Sequence, residues 1–150
     1  METEKGSLDA LARFAGDWTY EMTHQALPGS VILGRSSFEL LEGGKFLVQR
    51  EQVEHPEFPG SSLAVIGGGD DDELRMHYFD SRGVVRIFEL TIDGHVWTFL
   101  RDKPDFSPLD FYQRLTWTMR EDRQAITCLG EVSEDGEKWE DDIHITYRRT

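Results

Sequence analysis

The sequence predicts an all-β protein: an antiparallel up-and-down β-barrel of about ten strands, with one short N-terminal helix. Three observations predict it. Ten runs of residues read as strands, the first of them, Trp18 to His24, alternating large and polar side chains over seven positions with the period of two that a half-buried strand requires. Turn residues separate these runs, among them the hairpin dipeptides Asp93-Gly94 and Asp135-Gly136, whose positions tolerate positive φ. Strand patterns do not alternate with helical ones, which argues against a parallel sheet. A flat sheet of that many strands would curl or split, and a meander usually closes into a barrel. A two-sheet sandwich is the competing architecture.

The helix comes first. Leu8, Leu11, Ala12 and Phe14 share one face at helical spacing, with Ser7 as N-cap and Gly16 as stop. The strands then run Trp18 to His24, Val31 to Leu41, Phe46 to Val53 and Leu63 to Ile66. Pro28-Gly29, Gly43-Gly44, Pro56 with Pro59-Gly60, and Gly67-Gly68-Gly69 end them in turn. Leu74 to Phe79 and Val84 to Ile92 flank the turn Asp80-Ser81-Arg82-Gly83. Val96 to Arg101 precedes a loop holding Pro104 and Pro108. Phe111 to Met119, Ala125 to Val132 and Trp139 to Arg148 complete the set.

Composition bounds the function. A chain of 150 residues matches one domain, spanning 1–150, and can bury a core without disulfides. The polar Met1–Gly6 is expected to be flexible and lacks the apolar core of a signal peptide. No run of about 18 apolar residues exists to span a membrane as a helix. With 16 basic and 29 acidic residues the net charge is −13, which disfavours nucleic acid and anionic membrane surfaces as partners. The single cysteine, Cys128, forms no internal disulfide and excludes Cys-based metal clusters. A cytoplasmic address follows as the simplest expectation.

Each strand can be scored for its more apolar face. The inward sets are Trp18, Tyr20, Met22 and His24; Ile32, Phe38 and Leu40; and Phe46, Val48, Arg50 and Gln52. Leu74, Met76 and Tyr78 follow, then Val84, Arg86, Phe88 and Leu90, then Trp97 and Phe99. Phe111, Gln113, Leu115, Trp117 and Met119 come next, and Trp139, Asp141, Ile143, Ile145 and Tyr147 last. The fourth and ninth strands are ambiguous. The resulting interior is mostly apolar, but it holds the polar groups of Tyr20, Arg50, Tyr78, Arg86, Gln113 and Tyr147. A buried guanidinium is costly unless paired, so Arg50 and Arg86 would either meet an internal acid such as Asp141 or face the anionic head of a ligand.

Gly16-Asp17-Trp18 opens the first strand after a helix, and Tyr147-Arg148-Arg149 ends the last. This combination resembles the calycin superfamily of lipocalin-like and fatty-acid-binding-protein-like barrels. There a Gly-x-Trp packs near a basic residue of the last strand and closes one end. More narrowly, the chain resembles a bacterial family of lipocalin-like proteins catalogued as domain of unknown function 1579. That likeness rests on Leu41-Glu-Gly-Gly-Lys-Phe-Leu47, Tyr78-Phe-Asp-Ser-Arg-Gly83 and Ser133-Glu-Asp-Gly-Glu-Lys-Trp139. The resemblance implies a barrel over the whole chain but no reaction and no catalytic residue. A related resemblance is to nitric-oxide-binding haem barrels, whose proximal histidine motif does not appear on this chain.

Catalytic and metal signatures are sparse. His24, His55, His77, His95 and His144 are scattered, without His-x-His or His-Glu-x-x-His spacing, and only His24 is expected to face inward. Asp70-Asp71-Asp72-Glu73 lacks the alternation of an EF-hand and reads as a solvated loop, with a loose Ca²⁺ site as the alternative. Ser36-Ser37 and Ser61-Ser62 have no Gly-x-Ser-x-Gly context, and Gly67-Gly68-Gly69 is followed by no Lys-Ser/Thr. No cofactor, metal ligand or catalytic residue is therefore assigned.

The leading expectation is a barrel whose lumen binds a small, largely apolar molecule with a polar or carboxylate end. The lumen candidates are Trp18, Tyr20, His24, Arg50, Tyr78, Arg86, Trp97, Gln113, Trp117 and Tyr147. The first alternative is an enzyme working in that lumen by hydrolysis or isomerisation, with His24 and Asp141 as its only inward acid–base pair. The second is a filled barrel acting through a homodimer or a protein partner.

Overall fold

In the computed structural model, which describes residues 10–55, 60–68, 73–102 and 111–150, ten strands run antiparallel to their neighbours. They are β1 (Gly16–His24), β2 (Ile32–Leu40), β3 (Phe46–Glu54), β4 (Gly60–Gly68) and β5 (Leu74–Asp80). β6 (Val85–Asp93), β7 (Val96–Arg101), β8 (Tyr112–Met119), β9 (Ala125–Ser133) and β10 (Glu140–Arg149) follow. Consecutive strands pair all the way round, and β10 pairs back onto β1, so the sheet closes into a barrel and a two-sheet sandwich is excluded. β4 is longer than its apolar run: Gly60, Gly67 and Gly68 belong to it, because ladder bonds to β3 and β5 hold backbone whatever the side chain. The helix is a single turn at 10–12. Its expected cap Ser7 and residue Leu8, the segment Met1–Gly6, the acidic run Asp70–Asp72, and Pro56, Pro59, Pro104 and Pro108 lie outside the described residues.

An aromatic plug fills the barrel end next to the helix. Leu11 and Phe14 are fully buried there, with the Phe14 ring edge-on to Trp97 at 4.2 Å and 81°. Trp97 stacks on Trp117 in the parallel sense, 6.4 Å apart with 7° between planes. Trp18 donates from its indole N–H to the Phe14 carbonyl at 2.9 Å. The Arg149 guanidinium lies 4.2 Å from the Trp18 ring and donates to the carbonyls of Ala15 (2.7 Å) and Arg13 (2.9 Å). The first and last strands are thus latched by one cation to the turn that follows the helix.

The predicted faces hold on β1, β2, β5, β6, β7 and β8. Their buried members include Trp18, Tyr20, Ile32, Phe38, Met76, Phe88, Trp97, Phe99 and Trp117. The ambiguous strands resolve with Ala64 and Ile66 inward on β4 and Ile126 and Cys128 inward on β9. Two strands depart. On β3 the inward residues are Leu47, Gln49, Glu51 and Val53, opposite in parity to the expected Phe46, Val48, Arg50 and Gln52. On β10 a bulge between Asp141 and Ile143 shifts the register, so Ile143, Ile145 and Tyr147 face inward while Asp141 does not. Trp139 lies outside as well, under the guanidinium of the outward Arg114 at 4.3 Å. Asp141 pairs on the surface with His144 at 3.4 Å, so it is no internal partner for an arginine.

Candidate functional site

Beyond the plug the lumen is not filled. A cavity of about 270 Å³ extends from Trp117 and Cys128 to the far rim at His24, Gly60, Asp80–Arg82 and Asp142. That is room for about nine waters, at roughly 30 Å³ each, or for one small organic molecule. Its apolar wall comes from Met22, Val53, Met76, Phe88, Leu115, Ile143 and Ile145. Inward positions of β1, β3, β5, β6, β8 and β10 supply its polar groups, because a two-residue period returns every second side chain to the same face.

Arg86 and Gln113 stand out among these groups. The Arg86 Nε and the Gln113 Oε1 are buried and have no hydrogen-bond partner among the described residues. Unsatisfied buried polar atoms cost about 1–3 kcal/mol each and are uncommon in native structures. Arg86 lies beside the Phe111 ring at 5.5 Å, and Arg101 approaches the same ring at 5.6 Å while donating to the Phe111 carbonyl at 2.8 Å. Burial, then Arg101 and Arg82, pushes the Arg86 guanidinium below its ordinary pKa. An acceptor placed against Arg86 would relieve both penalties.

A carboxyl occupies a different part of the wall. The Tyr147 hydroxyl donates to Glu51 Oε2 at 3.0 Å, and the Tyr20 ring packs 5.5 Å from Tyr147. Burial raises the Glu51 pKa to about 7, against the lowering effect of the Tyr147 hydrogen bond. Burial and the Glu51 charge raise Tyr147 and Tyr20 well above the ordinary tyrosine value. At the rim Tyr78 donates to Asp80 at 2.9 Å, and Arg82 donates to the same carboxylate oxygen at 2.7 Å. Burial works against the Asp80 carboxylate, but Arg82 and Tyr78 outweigh it and hold its carboxyl below the usual range.

Of the ten lumen candidates, Tyr20, His24, Tyr78, Arg86, Gln113, Trp117 and Tyr147 line the cavity. Trp18 and Trp97 are buried in the plug beneath it. Arg50 does not reach the lumen. Its side chain is 60% exposed on the outer wall, 3.6 Å from Glu39, because β3 presents its other face inward. The expected pair of His24 with Asp141 is also corrected. The β10 bulge brings Asp142 to His24 instead, at 3.7 Å. His24 Nδ1 accepts from the Ala26 N–H at 3.0 Å, which ties the ring to the turn after β1. Glu51 is the residue that face scoring missed. A four-residue loop closed by Leu41 and Phe46, whose backbone N–H and carbonyl bond at 2.9 Å, fixes Phe38 opposite Gln49 and Ser36 opposite Glu51. Counting that loop from the inward Phe38 would have found it.

A wider outer concavity, about 1020 Å³ and largely open to solvent, lies over β2 to β5. Its arginines are already paired, Arg35 with Glu54 at 2.6 Å and Arg50 with Glu39. The described residues contain no group of three or more His, Cys, Asp or Glu arranged to hold a metal. No helix among them is long and apolar enough to cross a membrane.

Fold and site together define a closed ten-stranded antiparallel barrel with an aromatic plug at one end and a polar-lined cavity towards the other. Among solved structures, the chain is similar to Rv2717c from M. tuberculosis, with a TM-score of 0.65 at 12% identity over 96% of this chain and 97% of that one. It is also similar to a de novo designed fluorescence-activating β-barrel (TM-score 0.53, 13% identity, 95% and 98% covered). A redesigned β-barrel matches with a TM-score of 0.52 at 13% identity, over 94% and 95% of the two chains. At these identities the likeness is one of fold. No family model and no curated protein matches the chain.

Proposed function

We propose that the protein binds one small molecule in the lumen of its barrel, with an acceptor oxygen of the ligand at Arg86 Nε–H, a donor group at Gln113 Oε1, and its apolar body against the apolar lining. The observation that carries this reading is the pair of buried, unpartnered polar atoms, Arg86 Nε and Gln113 Oε1, on the wall of a cavity large enough for a ligand. A guanidinium prefers a carboxylate, which accepts a charge-assisted bond worth about 1.5–3 kcal/mol. The lower wall of Phe88, Leu115, Trp117 and Ile145 offers apolar burial at about 25 cal/mol per Å². Likeness to the lipocalin-like barrels, whose lumens carry small apolar molecules, supports the same reading by analogy.

Calorimetric titration with 4-methylbenzoate tests the reading. The wild-type protein should bind it with one-to-one stoichiometry. Arg86→Met should weaken binding tenfold to a hundredfold, the equivalent of the lost charge-assisted bond. Arg50→Met, on the outer wall, should leave it unchanged. Loss of binding in Arg50→Met but not in Arg86→Met would move the ligand to the outer concavity and overturn the proposal.

A further inference from the structure

The lumen holds two opposite charges that do not meet. Glu51 lines the cavity from β3, and Arg86 lines it from β6, three strands further round the wall. The carboxyl of Glu51 is bonded to Tyr147, and no cation among the described residues pairs with it. The titratable groups that influence or contact it are Tyr20 from β1, Tyr78 from β5, Cys128 from β9 and Tyr147 from β10, all neutral when protonated. Arg86 for its part has a buried Nε without an acceptor among the described residues; Tyr78 and Asp80 favour its charge, but burial, Arg101 and Arg82 outweigh them. An unpaired buried charge costs several kcal/mol, and removing one partner of a good buried pair costs a similar amount. A carboxyl that no described cation pairs with and a guanidinium with an Nε–H to spare, facing one small cavity, are complementary to a molecule carrying the reverse pattern.

Building on the lumen-binding reading, we infer that the ligand class is a small dipolar amino-carboxylate, with its carboxylate at Arg86 and its ammonium at Glu51, where it donates to the carboxyl oxygens. Such an occupant is neutral overall, which suits entry into a protein of net charge −13 better than a simple anion does. Glu51 keeps one bond from the Tyr147 hydroxyl and retains lone pairs for an ammonium donor. Met76, Trp117 and Ile145 line the same cavity, so an apolar spacer between the two ends finds apolar wall to pack against.

The test compares 4-(aminomethyl)benzoate with 4-methylbenzoate, which differ only in the ammonium group, by calorimetric titration of the wild-type protein and of Glu51→Gln. At pH 8 the amine-bearing probe should bind the wild type at least tenfold more tightly. That preference should shrink as the pH falls through about 7, where Glu51 takes up a proton. Glu51→Gln retains an acceptor for Tyr147, and its circular dichroism and melting curve establish that it folds. In it the preference should vanish at every pH. Equal affinities in the wild type, or a preference that survives Glu51→Gln, would overturn this inference while leaving the lumen reading in place. Failure of both probes to bind at millimolar concentrations would overturn the lumen reading itself.

Discussion

Glu51 carries a pH dependence that stability measurements can read. Its pKa rises from an ordinary 4.5 to about 7 because its carboxyl is buried. The native state therefore holds a proton that the unfolded chain has already released. The stability linked to that proton is complete below pH 4.5 and is lost as the pH rises through about 7. At 1.36 kcal/mol per pKa unit, the loss amounts to about 3 kcal/mol. Gln cannot titrate and still accepts from Tyr147. Glu51→Gln should thus gain about 3 kcal/mol relative to the wild type on going from pH 4 to pH 9, as read from urea unfolding at each pH. A constant difference between the two proteins across that range would refute the assignment. Neighbouring side chains are arranged by the same economy. Tyr147 and Tyr78 each donate to a carboxylate, whereas Arg86 Nε has no acceptor among the described residues, which is why it points to a ligand.

At the scale of the element, two glycines and one bulge decide where side chains point. Gly34 pairs directly with Tyr20, and the tyrosine ring lies flat over it. A Cβ there would come within 2.1 Å of the ring. Gly34→Ala should therefore cost about 1–3 kcal/mol and push Tyr20 into the cavity. In a Tyr20→Ala background the same substitution should cost much less, and a double-mutant cycle by urea denaturation measures that coupling. Additive effects would contradict the packing. Gly130 serves Ile143 in the same way, just after the β10 bulge, with 2.1 Å between the Ile143 Cγ2 and a notional Cβ. The bulge explains why Asp142 rather than Asp141 meets His24. Alternation counted back from Tyr147 loses its parity at one extra residue, and Asp141-Asp142 gives no composition signal of it. β3 failed for a different reason. Where the lumen is polar, hydrophobicity does not separate the faces, and Gln49 and Glu51 look like surface residues beside Phe46 and Val48. The strands themselves were legible throughout, because turn chemistry at Pro28-Gly29, Gly43-Gly44, Asp93-Gly94 and Asp135-Gly136 punctuates the chain independently of any face.

For the molecule as a whole, the aromatic residues and the polar ones divide the barrel between them. Phe14, Phe38, Trp97 and Trp117 fill one half with offset and edge-on rings, which pack densely and leave no space for a ligand. The Arg149 latch on Trp18 ties the chain's two ends across that half, so the plug is secured by covalently distant parts of the sequence. The other half keeps a cavity whose wall mixes apolar faces with Glu51, Arg86 and Gln113. A barrel that left the Arg86 Nε and the Gln113 Oε1 unsatisfied without a use for them would be less stable than one filled with leucine. The cavity is therefore where function is sought, and Arg86 is the residue on which it turns. The most direct test follows the Arg86 side-chain Nε–H by ¹H–¹⁵N NMR during titration with 4-(aminomethyl)benzoate, with Arg86→Lys to assign the resonance. The account predicts a saturable shift of that resonance and slowed exchange of its proton with water, in parallel with shifts of the Trp117 indole N–H. A resonance that stays unmoved while the probe binds elsewhere would contradict it.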